Sequence, residues 1–163
     1  MSESFNTRLM RWGFNFFPAY RRTGARITYI ASDLHEVHIK LPLTWRTRNY
    51  VGTMFGGSMY AAVDPIYMVM FIKLLGPEYI VWDKSATIQF KRPGRSTLRA
   101  KFVIEKSEPE AIRKEVKGKA KLHRADPLEL LDEDGTVCAV IEKILYFRKK
   151  VENNSSDENS GEK

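Results

Sequence analysis

The sequence predicts one α+β domain in which a curled antiparallel sheet of about five to six strands wraps a single long apolar helix, with a further helix at the N-terminus. Three observations carry this reading. From Thr53 to Gly76, Met59, Val63, Ile66, Met70 and Leu74 recur at three- and four-residue steps, and the segment is apolar nearly all round. On either side of it the pattern changes to two-residue alternation, as in Val37, Ile39 and Leu41 before it and Leu98, Ala100, Phe102 and Ile104 after it. The chain is 163 residues long with 43% hydrophobic content, enough for one core. A helix that is apolar on every side must be enclosed by protein, and a wrapped sheet encloses it.

Each element follows in order. Residues 4–17 place Phe5, Leu9, Trp12 and Phe16 at helical spacing with Arg8, Arg11 and Asn15 between them, which predicts an amphipathic helix ending before Pro18 and packed on the domain or on a partner. Ile27 to Leu41 reads as extended chain, clearest where Val37, Ile39 and Leu41 alternate with His38 and Lys40. Gly76-Pro77 stops the long helix. Four strands in a meander are expected after it: Ala86, Ile88 and Phe90 on one face of the first, Leu98 to Ile104 in the second, Val116, Gly118, Ala120 and Leu122 in the third, and Val137 to Phe147 in the last. Arg92-Pro93-Gly94, Glu108-Pro109 and Asp132 to Gly135 carry turn residues. Asp126 to Leu131 is compatible with a short helix, a strand end or a packed loop. The chain thus divides into a helix over 1–20, the sheet-and-helix domain over 21–150, and a tail over 151–163 with nothing apolar to bury, expected to be disordered.

Composition narrows the function classes. A single cysteine, Cys138, excludes an intrachain disulfide framework and a cysteine-rich zinc site, and is expected to be a buried, inert thiol. Arg8 and Arg11 interrupt the N-terminal aromatic stretch before a signal sequence can form, so a cytoplasmic location is expected. Met54 to Leu75 has the length of a membrane span but contains Asp64, Pro65 and Lys73, which favours a buried core helix and no stable membrane insertion. The net charge of +7 is compatible with polyanionic partners. Lys117, Lys119 and Lys121 lie on one alternating face without interleaved aromatic residues, so no nucleic-acid partner is expected. His35, His38 and His123 form no metal constellation, and no nucleophile-elbow motif surrounds Ser58 or Ser85.

The segment Asn49-Tyr-Val-Gly52-Thr-Met-Phe55-Gly56-Gly57-Ser58-Met-Tyr-Ala-Ala-Val-Asp64 resembles the motif of hotdog-fold thioesterases, in which an asparagine, a glycine, a His-Gly-Gly and an aspartate fall at these intervals. The resemblance covers residues 25–148. It is strongest to a branch of uncharacterised function that carries Asp-Pro in the helix and Trp-Asp-Lys-Ser in the next strand, here Asp64-Pro65 and Trp82-Asp83-Lys84-Ser85.

The resemblance implies hydrolysis of an acyl-CoA or acyl-carrier thioester at a cleft between two subunits, with coenzyme A entering only as part of the substrate and no separate cofactor. Asp64 stands where the family has its general base or nucleophile, reached from the second subunit; Gly56 and Gly57 begin the helix whose amides hold the oxyanion; Asn49 helps to position substrate or water. Asp83 matches a second polar catalytic residue found in some branches, and only one of Asp83 and Lys84 can face the cleft. Lys91, Arg92 and Arg95 flank the turn that lies near the nucleotide end of coenzyme A. A homodimer or a dimer of dimers is implied. One departure stands out: the family's histidine before the paired glycines is Phe55, and a phenyl ring donates no hydrogen bond. That substitution, with the apolar wall of Met59, Met68, Met70 and Phe71, supports the alternative of a hotdog protein that binds acyl groups without cleaving them.

Overall fold

The computed structural model describes residues 2–118 and 122–150. In chain order the elements are α1 (Phe5–Phe16), α2 (Pro18–Arg22), β1 (Arg26–Ile30), β2 (Glu36–Leu41), α3 (Gly56–Val63), α4 (Ile66–Leu75), β3 (Tyr79–Phe90), β4 (Leu98–Val103), α5 (Glu108–Gly118), β5 (Leu122–Leu131) and β6 (Val137–Lys149). The six strands form one sheet in the order β1-β2-β4-β5-β6-β3, wrapped around α3 and α4. This is the hotdog arrangement.

Two-residue alternation is realised cleanly in β2 and β4. Val37, Ile39 and Leu41 are buried while their neighbours are half-buried, and Leu98, Ala100, Phe102 and Ile104 are buried throughout. The two strands pair antiparallel in unbroken register from Glu36↔Val103 to Leu41↔Leu98. Phe71 and Phe102 are wholly buried and Tyr67 meets the Phe102 ring edge-on at 5.1 Å, so the helix closes the concave side of the sheet.

The topology corrects the sequence reading in two places and decides it in a third. Of the strand expected over Val116 to Leu122, Val116 to Gly118 belong to α5 and Leu122 opens β5, while residues 119–121 lie outside the described residues. Pro109, Ile112 and Val116 are buried at three- and four-residue steps, and Glu108 and Glu110 occupy the first turn, where a proline and negative charge both favour a helix start. That helical period outweighs the short alternation after it. Asp126 to Leu131 is strand, the second half of β5. The post-helix strands are not a simple meander: β4, β5 and β6 follow one another, but β3 sits outside β6 while β4 joins β2. The side chains of residues 117–126 and the tail 151–163 lie outside the described residues, and with them the lysine face and the disorder expectation.

The long helix is broken where Pro65 removes a backbone donor, giving α3 and α4 with Asp64 and Pro65 between them. Together Gly56–Leu75 is long and apolar enough to cross a membrane by length and composition, yet it is the element the sheet encloses. The carbonyls at the break find other donors. The buried hydroxyl of Tyr20 donates to the Ala62 carbonyl at 3.1 Å, and the Lys143 ammonium donates to that of Asp64. Cys138 is a free, buried thiol, and burial raises its pKa.

Candidate active site

The site has two parts, one at each end of α3. At the start, Phe55 occupies the N-cap with an extended backbone and no side-chain hydrogen bond. The first helical bond runs from the Met59 amide to the Phe55 carbonyl at 3.1 Å, so the amides of Gly56, Gly57 and Ser58 lack an intrahelical acceptor. A cavity of about 340 Å³ opens there, lined by Asn49, Met59, Phe90, Lys91 and Arg92 among others.

Aromatic rings crowd the paired glycines. A Cβ on Gly56 would stand 2.7 Å from Cζ of Phe90, and one on Gly57 would stand 2.4 Å from Cε1 of Phe55, both inside contact distance. The turn after β3 closes the cavity, held by the Met54 amide bonded to the Gly94 carbonyl at 2.8 Å and the Lys91 amide bonded to the Cys138 carbonyl at 2.8 Å. Asn49 is committed within its own loop: its Nδ2 donates to Thr53 Oγ1 at 2.9 Å, and its Oδ1 accepts the Thr53 amide at 3.0 Å. It therefore shapes the loop before α3 and borders the cavity with both ends of its amide engaged.

At the other end of α3 lies a charged cluster. Lys143 on β6 is completely buried, with Nζ 2.8 Å from Asp83 Oδ1 and 3.6 Å from Asp64 Oδ1. Asp83 comes from β3, at a bulge between Asp83 and Ser85 that disturbs the pairing with β6. Its side chain retains 20% exposure and that of Asp64 42%, and the Asp83 Oδ1 that meets the ammonium is itself buried. Burial raises the Asp83 pKa; the Lys143 ammonium opposes the rise and the Asp64 charge adds to it. Tyr60, one turn before Asp64, has its hydroxyl pKa pushed up to about 12, first by burial and then by its hydrogen bond to Asp64.

The structure thus brings Asn49, Gly56, Lys91 and Arg92 together at one cavity, with Gly57 beside it, and Asp64 and Asp83 together at the other end. Arg95 is exposed and does not line the cavity, while Lys84 points to solvent beside Asp83. Eight residues separate Gly56 from Asp64, about 12 Å along a helix, so one chain does not bring the carboxylate to its own helix start. Met70 and Phe71 pack in the core, whereas Met59 does reach the cavity wall. Sequence reasoning missed Lys143 and Tyr60. The signal for Lys143 was present: Ala139, Ile141, Leu145 and Phe147 share its register in β6 and are all buried, which places a charged residue in a core-facing position. Among the described residues, no group of three or more His, Cys, Asp or Glu side chains is placed to hold a metal ion.

The family described as Domain of unknown function (DUF4442) matches residues 6–146. Among solved structures, a Pseudomonas aeruginosa protein of unknown function, described as a probable thioesterase, superposes with a TM-score of 0.82 at 20% identity, covering 92% of this chain and 100% of the other. A Haemophilus influenzae thioesterase superposes with a TM-score of 0.67 at 17% identity, covering 94% and 97% of the two chains. At these identities the likeness establishes the fold. No curated protein matches.

Proposed function

The chain belongs to the DUF4442 family, and from that premise and the geometry of its site we propose that it hydrolyses an acyl thioester carried by coenzyme A or an acyl-carrier protein. The observation that carries this reading is the start of α3, where three amides without an intrahelical acceptor open beside a cavity that has an apolar wall at Met59 and Phe90 and cations at Lys91 and Arg92.

In the proposed reaction the thioester carbonyl oxygen lies against the helix-start amides. Water adds to the carbonyl carbon as Asp64 takes its proton, the tetrahedral oxyanion is held by those amides, and its collapse breaks the C–S bond as Asp64 returns the proton to the leaving sulfur, which departs as the thiol. Attack by Asp64 itself, followed by hydrolysis of the anhydride, uses the same groups. Lys91 and Arg92 suit the phosphates of a coenzyme A moiety, and the substrate supplies all the coenzyme the reaction needs. Asp83 and Lys143 hold Asp64 in place and set the local field.

This reading requires a second subunit. β3 forms an outer edge of the sheet across twelve residues, with Trp82 62% and Phe90 58% exposed. A long edge of that kind is covered in a stable protein. In the proposed homodimer two β3 edges pair, and Asp64 of each chain serves the helix start of its partner; a dimer of dimers extends the same contact.

The test is thiol release from a panel of short, long and aromatic acyl-CoA substrates, comparing the natural chain with Asp64→Asn. The expected result is turnover lost by about 10²–10⁴-fold in a variant that melts like the natural protein, the range for removing a general base. Undiminished turnover in that variant would overturn the mechanism. A second reading, a protein that binds acyl groups without cleaving them, is favoured by Phe55, whose ring folds over Gly57 and donates nothing to a carbonyl. Bound fatty acid with no turnover on any substrate would select it.

A further inference from the structure

Helix α1 presents its apolar stripe away from the protein. Phe5, Leu9, Trp12 and Phe16 fall within about one-sixth of the helix circumference at 100° per residue. They are 78%, 64%, 55% and 59% exposed, and Phe17 beyond them is 59% exposed. An isolated amphipathic helix laid on a domain turns such a stripe inward. Here the inward face is Thr7, Met10 and Phe14, and specific polar bonds fix the orientation. Asn15 bonds the edge backbone of β1 twice, donating to the Ile27 carbonyl at 2.9 Å and accepting its amide at 2.8 Å. Glu3 accepts from Arg11 at 2.8 Å and from the Ile30 amide at 3.3 Å. Ser4 and Thr7 close the helix start with a capping box. Among the described residues nothing buries the stripe.

Charge identifies the kind of partner. Residues 1–26 hold five arginines and one acidic residue, Glu3, which is already paired with Arg11. Phe16 shares a cavity of about 700 Å³ with Arg21, Arg22, Arg26 and Arg46, and no acidic residue lines it. On the other flank Phe16 and Trp12 share a second cavity with Arg26 and Lys40. Arg46 stacks on the ring of Trp45, which is 76% exposed. A symmetric contact with a second copy would bring these arginines against themselves, which electrostatics disfavours. A Trp, Phe and Leu stripe flanked by arginines fits the boundary between anionic headgroups and acyl chains. We propose that α1, with the arginines of α2 and the β1 edge, docks this protein reversibly on an anionic lipid surface. β1 ends the strand order opposite β3, so docking leaves the proposed dimer edge free.

The experiment is co-sedimentation of the full chain with vesicles of phosphatidylcholine alone and of equimolar phosphatidylcholine and phosphatidylglycerol. The expected result is partitioning at least about tenfold stronger onto the anionic vesicles and weakened by salt. Trp12→Ser with Phe16→Ser, and separately Arg21→Glu with Arg22→Glu, should each reduce it about tenfold or more, in proteins that melt like the natural chain. Because Arg21 and Arg22 are exposed, the second pair keeps the test valid if the first perturbs α1. Failure to bind anionic vesicles, or binding unchanged by both pairs, would overturn the proposal. So would binding to polyglutamate as strong as to vesicles, which would reduce the surface to charge alone. A loss of oligomer mass in the Trp12→Ser, Phe16→Ser protein, without vesicle binding by the natural chain, would assign the stripe to a second copy and overturn it equally.

Discussion

The two ends of α3 are built on opposite terms. At its start, three amides lack an intrahelical acceptor, and exposed rings, Phe55 and Phe90, crowd Gly56 and Gly57. At its end, a buried tyrosine hydroxyl and a fully buried ammonium donate to the Ala62 and Asp64 carbonyls, and two carboxylates pair with the ammonium. The start leaves hydrogen-bonding capacity for something else to take up; the end uses its own. In the proposed reaction the substrate carbonyl takes up the start, while the brace around Lys143 must hold its geometry without it. Substitutions should separate the two: changes to the buried Lys143 brace at the end alter stability first, and changes at the start alter binding first.

The largest expected effect is Lys143→Met. Methionine fills a similar volume but leaves Asp64 and Asp83 without their cation and the Asp64 carbonyl without its donor. Breaking a buried ion pair from one side costs about 3–5 kcal/mol, and the residual exposure of both carboxylates favours the lower figure. Chemical denaturation should show the loss. Adding Asp83→Asn should recover part of it, because the remaining buried charge is removed as well. A Lys143→Met protein as stable as the natural chain would show that the cluster does not brace the helix break, and the contrast between the two ends would fail.

Gly56→Ala tests the opposite end and should act in the opposite way. The new methyl meets only the far end of the Phe90 ring, a side chain that is 58% exposed and free to give way. Alanine in a helix is favoured over glycine by up to about 1 kcal/mol, so the melting temperature should hold or rise. The displaced ring and the methyl both enter the cavity, and turnover or acyl binding should fall by about tenfold, the size of effect expected when a bound group is misplaced by a fraction of an ångström. Loss of stability with binding intact would invert the assignment.

How much of this was legible in the sequence follows the same division. The strands β2 and β4 could be read because alternation there serves a single core, and the helix because its apolar residues satisfy one period. The start of α3 was legible through a contiguous motif, Asn49 to Ser58, in which spacing is all that matters. The end was only half legible. Asp64-Pro65 announced a break, but its partners Tyr20, Asp83 and Lys143 come from α2, β3 and β6, and only the sheet order brings them together. α5 was misread for a local reason: Val116, Gly118 and Ala120 alternate over too few residues to outweigh a helix start at Glu108-Pro109. The outward stripe of α1 was invisible because amphipathicity specifies a face, whereas Asn15 and Glu3 decide which way it turns.

The smallest expected effect is on the pH dependence of stability, and it sharpens the account of the braced end. Burial holds the Asp83 carboxyl above the ordinary aspartate range, in spite of the neighbouring Lys143. Between the unfolded and the folded pKa the native state therefore keeps a proton that the unfolded chain has released. The contribution to stability is complete below the ordinary aspartate value and is lost as pH rises through the raised value of the folded state. Asp83→Asn removes this titration, so its denaturation midpoint should vary less with pH across that window than that of the natural chain. Lys143→Met removes the cation that opposes the rise, so its midpoint should go on falling to higher pH. Equal slopes for all three proteins would mean that Asp83 titrates as a solvated carboxylate, and the braced end would then rest on the Lys143 contact with the Asp64 carbonyl alone.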